Sequence, residues 1–185
     1  MNTKQSQSVA TSGSARSVRT MPFVVLHIED SPDDRELFQM AAAQAKLPVC
    51  WQTANSTKTA IAHLKNLLSA AHAGAPVTWP DLVLLDFIMP VENGVGVLQF
   101  MKAHAGLRNL PIVVLTGCED QAIADQATAL GARAVKLKPL SFEGLVELME
   151  TIYRSYRYTP QENQRAKPWE LHTTRLGRAE SCLNW

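Results

Sequence analysis

Apolar and polar residues fall in blocks along this chain, and the period of the blocks switches back and forth between strand-like and helix-like. Phe23–Ile28 is a short, almost wholly apolar run, the pattern of a strand buried on both faces. Ser31-Pro32 then opens a helix, with proline near the first turn and Asp33 and Asp34 at its positive end. That helix is expected to turn Leu37, Phe38, Met40 and Ala41 toward the sheet and to stop at Leu47-Pro48. Val49–Thr53 reads as a second, weaker strand, and Ala60, Ile61, Leu64, Leu67 and Leu68 recur at helical spacing. A loop bearing Gly74, Pro76 and Pro80 leads into a strand over Leu82–Asp86, and Asn93-Gly94 marks a turn before a helix carrying Val97, Leu98, Phe100 and Met101. Pro111 introduces a strand over Ile112–Leu115. A helix around Ala122–Leu130 ends on Gly131 as its C-cap, and a strand over Ala134–Leu137 precedes a last helix from about Ser141 to Tyr156.

Five strands alternating with five helices predict a parallel sheet covered on both faces, and right-handed crossovers leave few topologies. The expected fold class is α/β, a doubly wound domain over residues 21–156. Residues 1–20 are polar and aperiodic, the composition of a disordered segment, and residues 157–185 form a C-terminal tail. Met21 stands where an alternative start would fall. A length of 185 residues suits one such domain with tails, and a net charge of +1 gives no electrostatic case for nucleic acid or a membrane surface. No apolar run approaches the roughly 20 residues of a membrane helix, and the start lacks the apolar core of a secretory signal, so cytoplasmic residence is expected. Cys50, Cys118 and Cys182 share no metal-ligand spacing and read as isolated reduced thiols. The five histidines form no i, i+4 pair that would hold zinc.

The chemistry collects at strand ends. Asp86 closes Leu82-Val83-Leu84-Leu85, Glu29-Asp30 closes the first strand, and Lys138-Pro139 follows the fifth. A carboxylate ending a buried strand is costly unless a partner or a reaction keeps it there, and this layout places a site in the strand-end crevice of an open α/β sheet. Crowded acids either raise one pKa or bind a cation, and oxygen ligands suit Mg2+. Lys138 adds a mobile positive charge and Thr116 a hydroxyl. A carboxylate nucleophile, a divalent ion, a lysine and a hydroxyl are the parts needed to move a phosphoryl group onto Asp86 as an acyl phosphate.

At these residues the chain resembles a response-regulator receiver domain of two-component signalling. The likeness rests on Leu26-His27-Ile28-Glu29-Asp30-Ser31, Asp81 to Pro90, Asn93-Gly94, Pro111 to Gly117, Gly131-Ala132 and Lys138-Pro139, and it covers residues 22–156. It implies a flavodoxin-like, five-stranded sheet in order 2-1-3-4-5 with helices on both faces. It implies Asp86 as phosphoacceptor from a sensor histidine kinase or phosphotransfer protein, and Mg2+ as cofactor. Asp30 and Asp86 would bind the ion directly, with the backbone carbonyl of Ile88 as a further ligand and Glu29 acting through a metal-bound water. Thr116 and Lys138 would contact the phosphoryl group, and the Lys138–Pro139 bond would be cis. Within the family, the loop Ala73–Pro80, the approach Leu107-Arg108-Asn109-Leu110-Pro111 and the absence of an output domain are similar to the stand-alone regulators that partner bacterial phytochromes.

One position departs from the family. Receivers usually carry Tyr or Phe three residues before the site lysine, and this chain has Val135, which puts the usual threonine–aromatic switch in doubt. Ile88 and Cys118, two residues past the acceptor and two past the threonine, would flank the path of water to an acyl phosphate and modulate its lifetime. Two other functions share these parts: a receiver-like interaction module that never turns over phosphate, and a metal-dependent aspartyl phosphatase. The phosphatase commonly needs a second acid two residues after its nucleophile, where this chain has Ile88. The expected protein is therefore not an enzyme in the turnover sense. The last helix carries Leu145, Leu148, Met149 and Ile152 as one stripe toward the sheet. Tyr153, Tyr156 and Tyr158 cluster beyond it, and with Trp169 and Trp185 in the tail they predict a homodimer through this end of the domain.

Overall fold

The computed structural model describes residues 22–89 and 93–157. Strands β1 (Phe23–Ile28), β2 (Val49–Ala54), β3 (Leu82–Asp86), β4 (Ile112–Thr116) and β5 (Ala134–Leu137) alternate with helices α1 (Pro32–Gln44), α2 (Thr57–His72), α3 (Val95–Ala103), α4 (Gln121–Ala129) and α5 (Phe142–Arg157). A single 3-10 turn, Ala105–Leu107, follows α3. The strands pair in parallel in the order β2-β1-β3-β4-β5, so the chain reverses its direction of winding after β2 and opens a crevice between the carboxyl ends of β1 and β3.

Burial follows this order. Every residue of β1, β3 and β4 is buried, whereas the edge strands β2 and β5 are partly exposed, which is why β2 reads as a weaker strand in sequence. Alternate strand residues feed two cores. Leu26, Ile28, Val83, Leu85 and Val114 pack with Ala60, Leu64, Leu98 and Met101 of α2 and α3. Phe23, Val25, Leu84 and Val113 pack with Phe38 of α1 and with Leu145, Met149 and Ile152 of α5. The extended loop before β3 is pinned by Trp79, 4% exposed, and by the Gln52 side chain, which donates to the Thr78 carbonyl at 2.9 Å. Gly131 has φ +102°, the left-handed turn that ends α4 and that a side chain would strain.

Several sequence expectations need correction. Helix α1 buries Phe38, Ala41 and Ala42, while Leu37 and Met40 are 38% and 51% exposed. At about 100° per residue the stripe centred on 38, 41 and 42 leaves Leu37 on its flank and Met40 nearly opposite it. Tyr153, expected at an interface, belongs to the core: it is 9% exposed and meets the Phe23 ring edge-on at 5.5 Å. The Lys138–Pro139 bond is trans, since no cis peptide occurs among the described residues. Trans is the intrinsically preferred isomer of X-Pro, and with it the lysine already reaches the acids. Cys118 is a free, exposed thiol, but Cys50 is disulfide-bonded, against the expectation of three isolated thiols. The 1–20 segment, Tyr158, Trp169, Cys182 and Trp185 lie outside the described residues.

Candidate functional site

Backbone continuity of the sheet delivers the chemistry to one rim. Beyond the strand ends the ladder continues for one more bond on each side: Glu29 N–H donates to the Ala54 carbonyl at 3.0 Å, Phe87 N–H to Leu115 at 2.9 Å and Lys138 N–H to Thr116 at 2.7 Å. These bonds hold Glu29, Asp86 and Lys138 in register at the crevice. Gly94 closes the β3–α3 loop under the site. A Cβ there would stand 3.1 Å from the Asp86 carbonyl oxygen and 3.2 Å from Leu85, so the loop lies this close only without a side chain.

The centre of the site is the Lys138 ammonium. It donates to Glu29 Oε2 at 2.7 Å, Asp86 Oδ2 at 2.7 Å and Asp34 Oδ2 at 2.8 Å, one carboxylate for each of its three protons. The other oxygens are also committed. Glu29 Oε1 accepts from Ser31 N–H at 3.0 Å, and Asp86 Oδ1 accepts from Ile88 N–H at 2.9 Å. Glu29 is 1% exposed and Asp86 6%. Burial, opposed by the Lys138 hydrogen bond and aided by the nearby Asp86 charge, pushes the Glu29 carboxyl up to about 7. Burial works against the Lys138 ammonium, but its bonds to Asp34, Asp86 and Glu29 outweigh this and raise its pKa. Three short charge-assisted bonds hold Lys138 in its charged form.

Thr116 is buried at the end of β4, and its hydroxyl is folded into its own loop: Oγ1 donates to the Cys118 carbonyl at 3.1 Å and accepts from Cys118 N–H at 3.3 Å. Cys118 Sγ stands 3.6 Å from that hydroxyl. Ile88 is 52% exposed on the β3–α3 loop. Val135 is half-buried and packs against the core on the α2–α4 side, paired with Val114 across the sheet. Asp30 is half-buried, and its carbonyl, with that of Glu29, takes the Arg35 guanidinium at 3.0 and 2.6 Å.

Among the described residues, the acids whose oxygens lie within 4.8 Å of one another are Glu29, Asp34 and Asp86. Asp30 does not belong to that group. An all-carboxylate set closing around an ammonium is the donor chemistry of a hard divalent cation, and Lys138 occupies the place of the positive charge. Asp34 escaped the sequence reading because an acid in the first turn of a helix is explained by the helix dipole. Ser31 Oγ does accept from Asp34 N–H at 3.2 Å, but the returning bond to Ser31 N–H comes from Glu29, which leaves the Asp34 carboxylate for Lys138.

Known proteins share this fold. The model of the response regulator receiver domain matches residues 25–150. The chain is 30% identical to the probable methanogenesis regulatory protein FilR2 of Methanothrix harundinacea, over 71% of this chain and 81% of that protein. Other curated relatives are spanned over 56% and 33% of their length. In structure it resembles the phosphorylated cyanobacterial phytochrome response regulator RcpA, with a TM-score of 0.64, 25% identity and coverage of 74% of this chain and 95% of that one. The Mn2+-bound form of the response regulator Rcp1, 23% identical, shares the fold with a TM-score of 0.59 over 75% of this chain and 96% of its own.

Proposed function

The chain belongs to the response regulator receiver domain family, and from that premise we propose that Asp86 takes a phosphoryl group from the phosphohistidine of a sensor histidine kinase or phosphotransfer protein. Receivers are signalling proteins rather than turnover enzymes, and no helix among the described residues is long and apolar enough to cross a membrane. The observation that carries the proposal is the Asp86 carboxylate, buried at the end of β3 and held 2.7 Å from the Lys138 ammonium. A carboxylate buried without a partner is costly, and here the Lys138 ammonium and the Ile88 N–H offset that cost and aim its oxygens.

The residues divide the work. Asp86 Oδ attacks phosphorus and keeps the group as an acyl phosphate, while the donor imidazole leaves with the bond electrons. Lys138 screens the phosphoryl oxygens, and the Ile88 N–H fixes the other acceptor oxygen. Thr116 turns its hydroxyl from the Cys118 carbonyl to the new group. A bound Mg2+ supplies neutralisation of the phosphoryl charge. Its proposed ligands are Asp30, Asp86 and the Ile88 carbonyl, with Glu29 acting through water. These donors are all oxygen, and Glu29 and Asp86 already close on a cation with Asp34, while Asp30 is the neighbouring acid outside that group. Labelling by acetyl phosphate should therefore require Mg2+ and disappear with a chelator. Asp30→Ala should slow it more than Glu29→Ala, since a direct ligand matters more than one acting through water. An equal loss from both variants would refute that division.

Two further outcomes follow from the surroundings. Ile88 and Cys118 cannot orient a water as an amide or carboxylate does, so the acyl phosphate should be long-lived. Ile88→Asn should shorten its half-life by about tenfold, less than the roughly 100-fold or more of a true general base because an amide orients water without taking its proton, and equal decay in parent and variant would contradict this. Val135 leaves no aromatic ring to follow Thr116, so we place the signal in α4, β5 and α5. Strand β5 is a sheet edge, and Leu137 on it and Leu140 after it are exposed. We take this face as a homodimer contact, coupled to phosphorylation by about 1–3 kcal/mol. Sedimentation with and without acetyl phosphate, and of a chain ending at Tyr156, should show it. A monomer at high micromolar concentration in all three samples would exclude it. The likeness to RcpA supports a phytochrome kinase as the phosphate source.

A further inference from the structure

We propose that Asp34 is a positioning residue for Lys138, holding the ammonium at the mouth of the site when a divalent cation takes the acids beneath. The inference deepens the receiver reading and rests on it.

Four observations converge. The three acids bind the ammonium at nearly equal distance, 2.7, 2.7 and 2.8 Å, yet they lie at different depths. The Glu29 side chain is 1% exposed and that of Asp86 9%, whereas that of Asp34 is 35% exposed. Asp34 is thus the outer member of the group. The carboxylate is also released from local duty, because Glu29 rather than Asp34 caps Ser31 N–H. Its backbone stays fixed, with Asp34 N–H on Ser31 Oγ and Ser31 at the N-cap of α1. Three acids and one lysine leave two negative charges, the complement of one divalent ion.

A cation held by Asp86 directly and by Glu29 through water repels an ammonium that shares those two carboxylates. Without Asp34, Lys138 would have no other acid in reach among its three partners, and its flexible stem would carry the charge into solvent. With Asp34, the ammonium shifts outward onto one carboxylate and stays beside the acceptor, ready to meet the phosphoryl oxygens. The exchange of lysine for cation then proceeds without losing the lysine.

The test uses the full chain with Mg2+ alone, then with acetyl phosphate. In the Mg2+-saturated protein, the 15N-labelled ammonium of Lys138 should give a slowly exchanging resonance in the parent and in Asp34→Glu, and lose it in Asp34→Asn. At saturating Mg2+ the labelling rate should fall about tenfold in Asp34→Asn, the effect of one charge-assisted hydrogen bond. It should recover in Asp34→Glu, and Asp34→Asn should have no further effect in a Lys138→Met background. An ammonium resonance unchanged in Asp34→Asn would overturn the proposal. So would a Mg2+ affinity that falls tenfold or more on Asp34→Asn in the Lys138→Met background, since Asp34 would then be a metal ligand. Backbone amide spectra check that each variant is folded. A parent that never forms an acyl phosphate would defeat the receiver reading, while the resonance still decides the role of Asp34.

Discussion

Asp86→Asn should reduce labelling by acetyl phosphate to background at saturating Mg2+ while leaving the fold in place. The amide keeps the shape of the carboxylate and one acceptor oxygen, so the bond from Ile88 N–H at 2.9 Å survives. What it lacks is the negative charge and the nucleophilic lone pair that an acyl phosphate needs. Removing one member of a buried ion pair usually destabilises by about 3–5 kcal/mol, because the partner is stranded. Here Lys138 retains Glu29 and Asp34, so the loss should fall below that range. Denaturant melts and labelling measured on the same sample separate the two effects. Persistent Mg2+-dependent labelling of Asp86→Asn would mean that another residue is the acceptor.

The second large effect concerns a residue with no assigned chemistry. His27 lies in β1, fully buried, with its ring 5.0 Å from Phe38 and 5.7 Å from Trp51, and neither ring nitrogen has a hydrogen-bond partner. Burial, then the charges of Lys138 and Arg35 against that of Asp34, lower its pKa from 6.5 to about 3. The unfolded chain therefore takes up a proton that the folded one refuses. Stability from this residue is complete above about pH 6.5 and drains as pH falls through the window down to about 3. Between pH 7 and pH 5 the loss should be about 2 kcal/mol. His27→Leu removes the titrating ring and two unsatisfied nitrogens, so it should be the more stable protein at pH 5 and should lose less between the two pH values. Urea melts at pH 7 and pH 5 measure both slopes. Parallel losses in parent and variant would show that His27 takes its proton as readily folded as unfolded.

These two residues also mark what the sequence discloses and what it hides. Asp86 was visible because a carboxylate ending Leu82-Val83-Leu84-Leu85 breaks a pattern that burial otherwise explains. The same logic located Glu29 and Lys138, and alternation of period located all five strands and helices. The strand order came from the family likeness, since parallel pairing leaves no local signature, and the structure bears it out. Asp34 stayed hidden because an acid in the first turn of a helix is already explained by the helix dipole; only the fold shows its carboxylate on Lys138. Leu37 and Met40 were misplaced because the buried stripe of α1 is built largely from the small residues Ala41 and Ala42, so the larger apolar residues around it looked like the inward face. Tyr153 looked interfacial because three tyrosines near a helix end are polar enough for a surface, and its pairing with Phe23 is a contact across most of the domain's sequence.

All of this turns on the bond formed at Asp86. The purified full chain should gain one phosphate on incubation with acetyl phosphate and Mg2+, none when the metal is chelated, and should lose it on brief treatment with hydroxylamine. Hydroxylamine cleaves acyl phosphates and spares phosphate esters, and the resulting hydroxamate should map to Asp86 by peptide mass. A phosphate that resists hydroxylamine, or a hydroxamate at any other acid, would contradict the account.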